Sequence, residues 1–278
     1  MKRGADEEPA IEFIVLVLDT APAATCVDRH AAVVTATRAL AVTTLLALAP
    51  AFAMAAAAPT CTPSAVIFLH GSGDTGEGLQ RGLANSRFTA AMKAAGVRLV
   101  FPSATPRPYQ LAGGNTMSIW FDRTGLPPEA PEHAESIDAS VAKLEGVLRE
   151  LEGEGIPPSR VAVGGFSMGG GIAIQLAYRG SEIGSSLAAV FALSSFATDD
   201  SAMWSSLRAS PDRPRPPLYQ RHGDADDYIL TEWGERTGKK LKDEGVAVDF
   251  GLEPGLRHSL SEDELVRLGE WLKGAVGE

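Results

Sequence analysis

From Ser64 onward the chain is punctuated by short, continuous apolar runs that stop at glycine or proline, with helix-patterned segments between them. "AVIFLHG" (65–71), "VRLVFP" (97–102), "VAVGG" (161–165), "AAVFALSSF" (188–196), "PLYQRHG" (217–223) and "VAVDFGL" (246–252) are such runs. Apolar runs of this length, bounded by breakers, are the pattern of strands covered on both faces. Ile137, Val141, Leu144, Leu148 and Leu151 recur at steps of three and four, which places them on one face of a helix ending near Gly153. Thr231 to Glu244 and Ser261 to Val276 read as two more helices, the second opening on "SEDE", an acidic turn that suits the helix dipole. Strands alternating with helices require βαβ crossovers. The fold class is therefore α/β, with a mostly parallel central sheet and helices on both faces. Ligands then bind at the carboxyl ends of the strands. Two long stretches without a regular pattern, 103–122 and 198–217, each follow a strand and are expected to overhang that edge as walls of a substrate pocket.

The strand "VAVGG" runs directly into "GGFSMGGG" (164–171), which contains G-x-S-x-G around Ser167. Three fixed positions say little alone, but here a strand precedes the serine and the helix-compatible "GGGIAIQLAY" follows it. That context puts Ser167 on a sharp turn at the functional edge of the sheet. A serine hydroxyl is a poor nucleophile until a base takes its proton, and the base is usually a histidine held by a carboxylate. On this fold the partners follow in the order Ser, Asp or Glu, His. Two histidines come after Ser167. His258, after the last strand and before the last helix, follows an acidic cluster in the required order, whereas His222 reads as an anchor for its own turn. Asp224, Asp226 and Asp227 share that acidic loop, and spacing does not choose among them. An oxyanion hole needs two backbone N–H groups. Met168 supplies one and Ser72, in the glycine-rich "LHGSGDTGEG" after the first strand, is the candidate for the other. That loop lacks the G-K-[ST] of a phosphate-binding P-loop.

Composition narrows the function further. Lys and Arg number 25 against 35 Asp and Glu, a net charge of −10 that opposes phosphate neutralisation and argues against a nucleic-acid partner. An apolar fraction of 45% over 278 residues is ample for a large core. Cys26 and Cys61 make neither a disulfide framework nor a zinc set. Residues 1–60 form an Ala-rich leader and 61–278 the catalytic domain. Within the leader, Ala39 to Ala58 is an uncharged run of 20 residues. It reads as a low-complexity leader, or as an early start with Met54 as the true one. A cleaved targeting sequence or an anchor are the alternatives, disfavoured by the late position and by Pro50. The expected location is cytoplasmic, with organelle targeting or secretion through this run as the alternative.

Taken together, "AVIFLHGSGDTGEG", "WFD" (120–122), "GIPPSRVAVGGFSMGG", "HGDADD" and the late "RHS" resemble the acyl-protein thioesterase and lysophospholipase family of serine hydrolases, from about Ala65 to Leu272. "FDR" (121–123), "PEHAESID" (131–138), Met168 and "FALSSF" are similar to its lysophospholipase-like branch. Typical acyl-protein thioesterases carry Gln after the serine and Leu in the first loop, where this chain has Met168 and Ser72. The resemblance implies an α/β-hydrolase fold, a monomer or homodimer, and neither metal nor organic cofactor. It also implies Asp226 as the acid of the triad. The implied substrates are acylated small molecules, lipids or S-acylated proteins, cleaved at a carboxylic ester or thioester. A non-catalytic scaffold on the same fold and a peptidase are the rival readings. Leu111, Met117, Trp120 and Phe121 are expected to line the acyl pocket. Gly113, Gly114 and the polar residues after them predict that it is shallow and favours short acyl groups.

Overall fold

The computed structural model describes residues 63–276, so the Ala39 to Ala58 run and both cysteines lie outside the described residues. In chain order the strands are β1 (Ser64–Leu69), β2 (Val97–Val100), β3 (Pro106–Tyr109), β4 (Asn115–Ser118), β5 (Val161–Phe166), β6 (Ala189–Leu193), β7 (Leu218–Gly223) and β8 (Val248–Glu253). The helices are α1 (Gly76–Leu83), α2 (Arg87–Ala94), α3 (Ala134–Gly153), α4 (Met168–Tyr178), α5 (Glu182–Ser185), α6 (Ala202–Ala209), α7 (Thr231–Asp243) and α8 (Glu262–Val276).

Six strands form one sheet in the order β2-β1-β5-β6-β7-β8, with every neighbouring pair parallel. The apolar runs are continuous because both faces of this sheet are covered. Along β1, Ala65, Ile67 and Leu69 join one buried cluster with Leu144 and Leu148 of α3 and Ile172 of α4. Val66 and Phe68 point the other way, to Leu79 of α1, Phe88 of α2 and Leu268 of α8. The Phe68 ring meets those of Phe88 and Phe191 edge-on, at centroid separations of 5.9 and 4.9 Å. The chain builds outward from β1 to β2, then returns and continues from β5 to β8. The strand order therefore reverses between β1 and β5, which is where an open α/β sheet leaves a crevice for ligand.

The two stretches read as irregular are partly ordered. The first carries the antiparallel hairpin β3–β4, in which Pro106 pairs with Ser118 and Tyr109 with Asn115. Two prolines and a half-exposed setting gave these strands neither an apolar run nor a clean alternation. The second contains α6, whose start is capped by the Ser201 hydroxyl accepting from the Met203 N–H. At α8 the acidic opening turn is only partly a solvent-facing dipole partner. Glu264 is wholly buried, and burial, reinforced by nearby Glu253, pushes its carboxyl up to about 8.

Candidate active site

β5 ends in a turn that no ordinary residue enters easily. Ser167 has φ 53° and ψ −122°, a positive-φ conformation outside the common wells that costs on the order of 1–3 kcal/mol and persists only where neighbours hold it. Here they do. The Ser167 N–H donates to the Leu193 carbonyl at 2.8 Å, and the Ser195 hydroxyl donates to the Ser167 carbonyl at 2.5 Å. The N–H groups of Gly170 and Gly171 donate to that same carbonyl, at 3.1 and 3.2 Å. The glycines flanking the serine are required by contact. A Cβ on Gly165 or Gly169 would collide with the Leu69 carbonyl oxygen at the end of β1.

That close approach brings the loop after β1 beside the serine. A Cβ built on Gly71 would stand 3.5 Å from Ser167 Cβ. The loop is held by hydrogen bonds on several sides: Gly73 N–H donates to Ser118 O at 2.9 Å, and Trp120 Nε1 donates to His70 O at 2.9 Å. Buried His70 accepts the Ala104 N–H at Nε2 (2.9 Å), which leaves its proton on Nδ1, 2.7 Å from the Gly71 carbonyl. Burial lowers the His70 pKa, consistent with this neutral tautomer. Among the described residues, neither the Ser72 N–H nor the Met168 N–H donates to a protein acceptor, so both remain available, one in the loop after β1 and one at the start of α4.

Asp226 and His258 complete a continuous relay. His258 Nε2 is 3.0 Å from Ser167 Oγ, and its Nδ1 is 2.8 Å from Asp226 Oδ2. The other carboxylate oxygen, Oδ1, accepts the N–H groups of Tyr228 and Ile229 at 3.0 and 2.9 Å. Burial acts to raise the Asp226 pKa, but hydrogen bonds from His222, His258 and the Ile229 N–H outweigh it and hold the carboxyl well below the usual range. Asp226 is thus an anion across the working range, able to hold Nδ1–H and stabilise an imidazolium. The His258 ring is clamped between Phe166 and Tyr228, with centroids 4.7 and 5.1 Å away. The neighbouring aspartates do other work: Asp224 accepts the Gly255 N–H at 2.6 Å, and Asp227 pairs with Arg257 at the surface.

His222 has a role that sequence reading only half found. It anchors its turn through Nε2, 2.8 Å from the Ile229 carbonyl, and the same atom lies 3.5 Å from Asp226 Oδ2. It therefore stands beside the same carboxylate oxygen that faces His258.

The four expected pocket residues separate. Trp120 has no exposed surface and pins the β1 loop, so it belongs to the core beneath the site rather than to an open wall. Met117 is partly buried and packs against the core, while Leu111 is exposed on the hairpin tip. Phe121 lines a small cleft with Arg123, Gly171, Gln175, Phe196 and Thr198.

The sequence matches the family profile described as Phospholipase/Carboxylesterase over residues 54–275. It is 40% identical over 215 residues to lysophospholipase-like protein 1 of Mus musculus, covering 77% of this chain and 88% of that protein. It is 32% identical to a probable carboxylesterase of Oryza sativa subsp. japonica, covering 78% of this chain and 80% of that one. Among solved structures, Zea mays acyl-protein thioesterase 2 superimposes with a TM-score of 0.66 at 27% identity, covering 78% of this chain and 96% of the other.

Proposed function

The chain belongs to the phospholipase/carboxylesterase family, and from that membership we propose that Ser167, His258 and Asp226 carry its hydrolysis of carboxylic esters or thioesters. The observation behind this reading is the unbroken hydrogen-bonded line from Asp226 through His258 to the strained Ser167. His258 Nε2 takes the Ser167 proton as Oγ attacks the acyl carbonyl, and Asp226 steadies the imidazolium. The Ser72 and Met168 N–H groups receive the oxyanion, each such donor typically worth about 2.7–4 kcal/mol of barrier. His258 then hands its proton to the leaving alcohol or thiol. Water, deprotonated by the same imidazole, releases the acid and regenerates Ser167.

The acyl group hangs from a small molecule, a lipid or a protein thiol. Every catalytic group comes from one chain, so a monomer or a homodimer serves equally. Short acyl groups are preferred, because the apolar residues of the hairpin region are either spent in the core, as Trp120 and Ile119, or left on the exposed tip, as Leu111. The test is hydrolysis of p-nitrophenyl butyrate and of a butyryl thioester by the full chain and by Ser167→Ala. Turnover of either ester by the native protein, abolished in the variant, supports the reading; turnover surviving in Ser167→Ala overturns it.

A further inference from the structure

Arg123 lies in the cleft beside the site with no protein anion to meet it. Among the described residues its guanidinium makes no ion pair, and its buried Nε finds no hydrogen-bond partner. Instead the group stacks over two rings, with Cζ 4.8 Å from the Phe121 centroid and 5.5 Å from that of Phe196. The two acids lining the cleft are engaged elsewhere. Asp122 accepts from the Gln110 N–H (2.9 Å), Gln110 Nε2 (2.8 Å) and its neighbour's N–H (2.9 Å). Glu132 is tied to Arg179 at 2.7 Å and accepts from Gln175 and the Ala202 N–H. A second orphan faces the same cleft: the Thr198 hydroxyl is buried and has no partner.

A guanidinium stays charged in a protein, and stacking on aromatic rings offsets only part of the cost of desolvating it. Leaving it and a hydroxyl unpaired in one cleft is a deficit that an anion would fill, since the planar fork matches a carboxylate or a phosphate. The chain's net charge of −10 supplies no general attraction for anions, so the attraction is local to this cleft. The cleft also shares the first turn of α4 with the nucleophile. Gly171, on its wall, donates to the Ser167 carbonyl at 3.2 Å, and Phe196 follows Ser195, whose hydroxyl holds that carbonyl.

We infer that Arg123, with Thr198, forms a subsite for an anionic group, carboxylate or phosphate, borne by the substrate a few atoms from the scissile carbonyl. The inference rests on the hydrolase reading above and adds a substrate class to it. Two sources carry such a group. An acyl chain ending in a carboxylate would present it from the acid side, and a phosphorylated alcohol from the leaving side.

The test compares matched pairs. For the acid side these are p-nitrophenyl monoesters of succinate, glutarate and adipate against the same compounds capped as methyl esters. For the leaving side it is butyrylglycerol phosphate against butyrylglycerol. At least one anionic member should exceed its neutral partner in kcat/KM by about tenfold or more, the scale of a charge-assisted hydrogen-bond pair. Arg123→Met should erase that preference while changing the neutral esters by less than about threefold. Which pair responds identifies the source. Equal kcat/KM for every pair in the native protein, or a preference unchanged in Arg123→Met, overturns the subsite. Arg123→Gln is the second variant where Arg123→Met fails to fold, read by the same criteria. A native protein that hydrolyses no ester of either kind, anionic or neutral, contradicts the hydrolase reading instead, so the two failures are distinguishable.

Discussion

The carbonyl of Leu69 occupies the space that a Cβ on Gly169 would need. That one approach couples the end of β1 to the start of α4, and so couples the Ser72 N–H to the Met168 N–H and Ser167. The obstacle is main chain, which cannot swing aside as a flexible side chain would. Gly169→Ala is expected to destabilise by about 1–3 kcal/mol or more through overpacking. It should also lower kcat by at least about tenfold as the two N–H groups proposed to hold the oxyanion separate. Thermal melts and steady-state kinetics check both effects, and unchanged values would show that this contact does not set the elbow.

The three aspartates of the β7–α7 loop are predicted to separate by function. Asp226→Asn removes the charge that orients His258 and should reduce kcat by about 10³- to 10⁴-fold. Asp224→Asn and Asp227→Asn alter a loop hydrogen bond and a surface ion pair and should stay within about threefold of native. Kinetics of the three variants under one assay decide this, and a larger loss at Asp224 or Asp227 would reassign the acid.

Much of this arrangement was legible in the sequence, for identifiable reasons. A strand buried on both faces has to be apolar throughout, so the six runs located the six sheet strands to within a few residues. The turn after β5 needs glycines where main chains meet, and those glycines mark Ser167. Spacing could not select Asp226, because that choice depends on which carboxylate faces inward, toward His258 and the N–H groups of Tyr228 and Ile229. The hairpin β3–β4 was hidden by its prolines and exposure. Arg123 left no local signal either. Its isolation is a property of where Asp122 and Glu132 point, which no pattern along the chain encodes.

Stability should respond to pH through Glu264. Its folded-state pKa, raised by burial and then by Glu253 to about 8, lies above the ordinary glutamate value of 4.5. The folded protein therefore keeps this proton over a range where the unfolded chain has lost it. The resulting stabilisation is full below about 4.5 and disappears as pH rises through about 8. Glu264→Gln should match the native protein near pH 5 and melt higher than it at pH 9. Melting curves across that range that run parallel for the two proteins would contradict the assignment.

A preference for short acyl groups is predicted from where the apolar residues of the hairpin region lie. Each methylene that finds apolar cover would add about 0.8 kcal/mol, so a tunnel would raise kcat/KM with every added carbon. With Leu111 exposed and Trp120 spent in the core, kcat/KM should instead peak among short acyl groups and then fall or level. A series of p-nitrophenyl esters and thioesters from acetyl to palmitoyl measures this. A steady climb to palmitoyl would establish a long-chain tunnel.

The central claim, that Ser167 is the nucleophile activated by His258, is tested most directly by trapping. The full chain is treated with a fluorophosphonate and the modified residue is located by peptide mass spectrometry. A single adduct on the peptide containing Ser167 is predicted, absent in Ser167→Ala and formed far more slowly in His258→Ala. No adduct, or one carried by Ser194 or Ser195 with Ser167 unmodified, would contradict it.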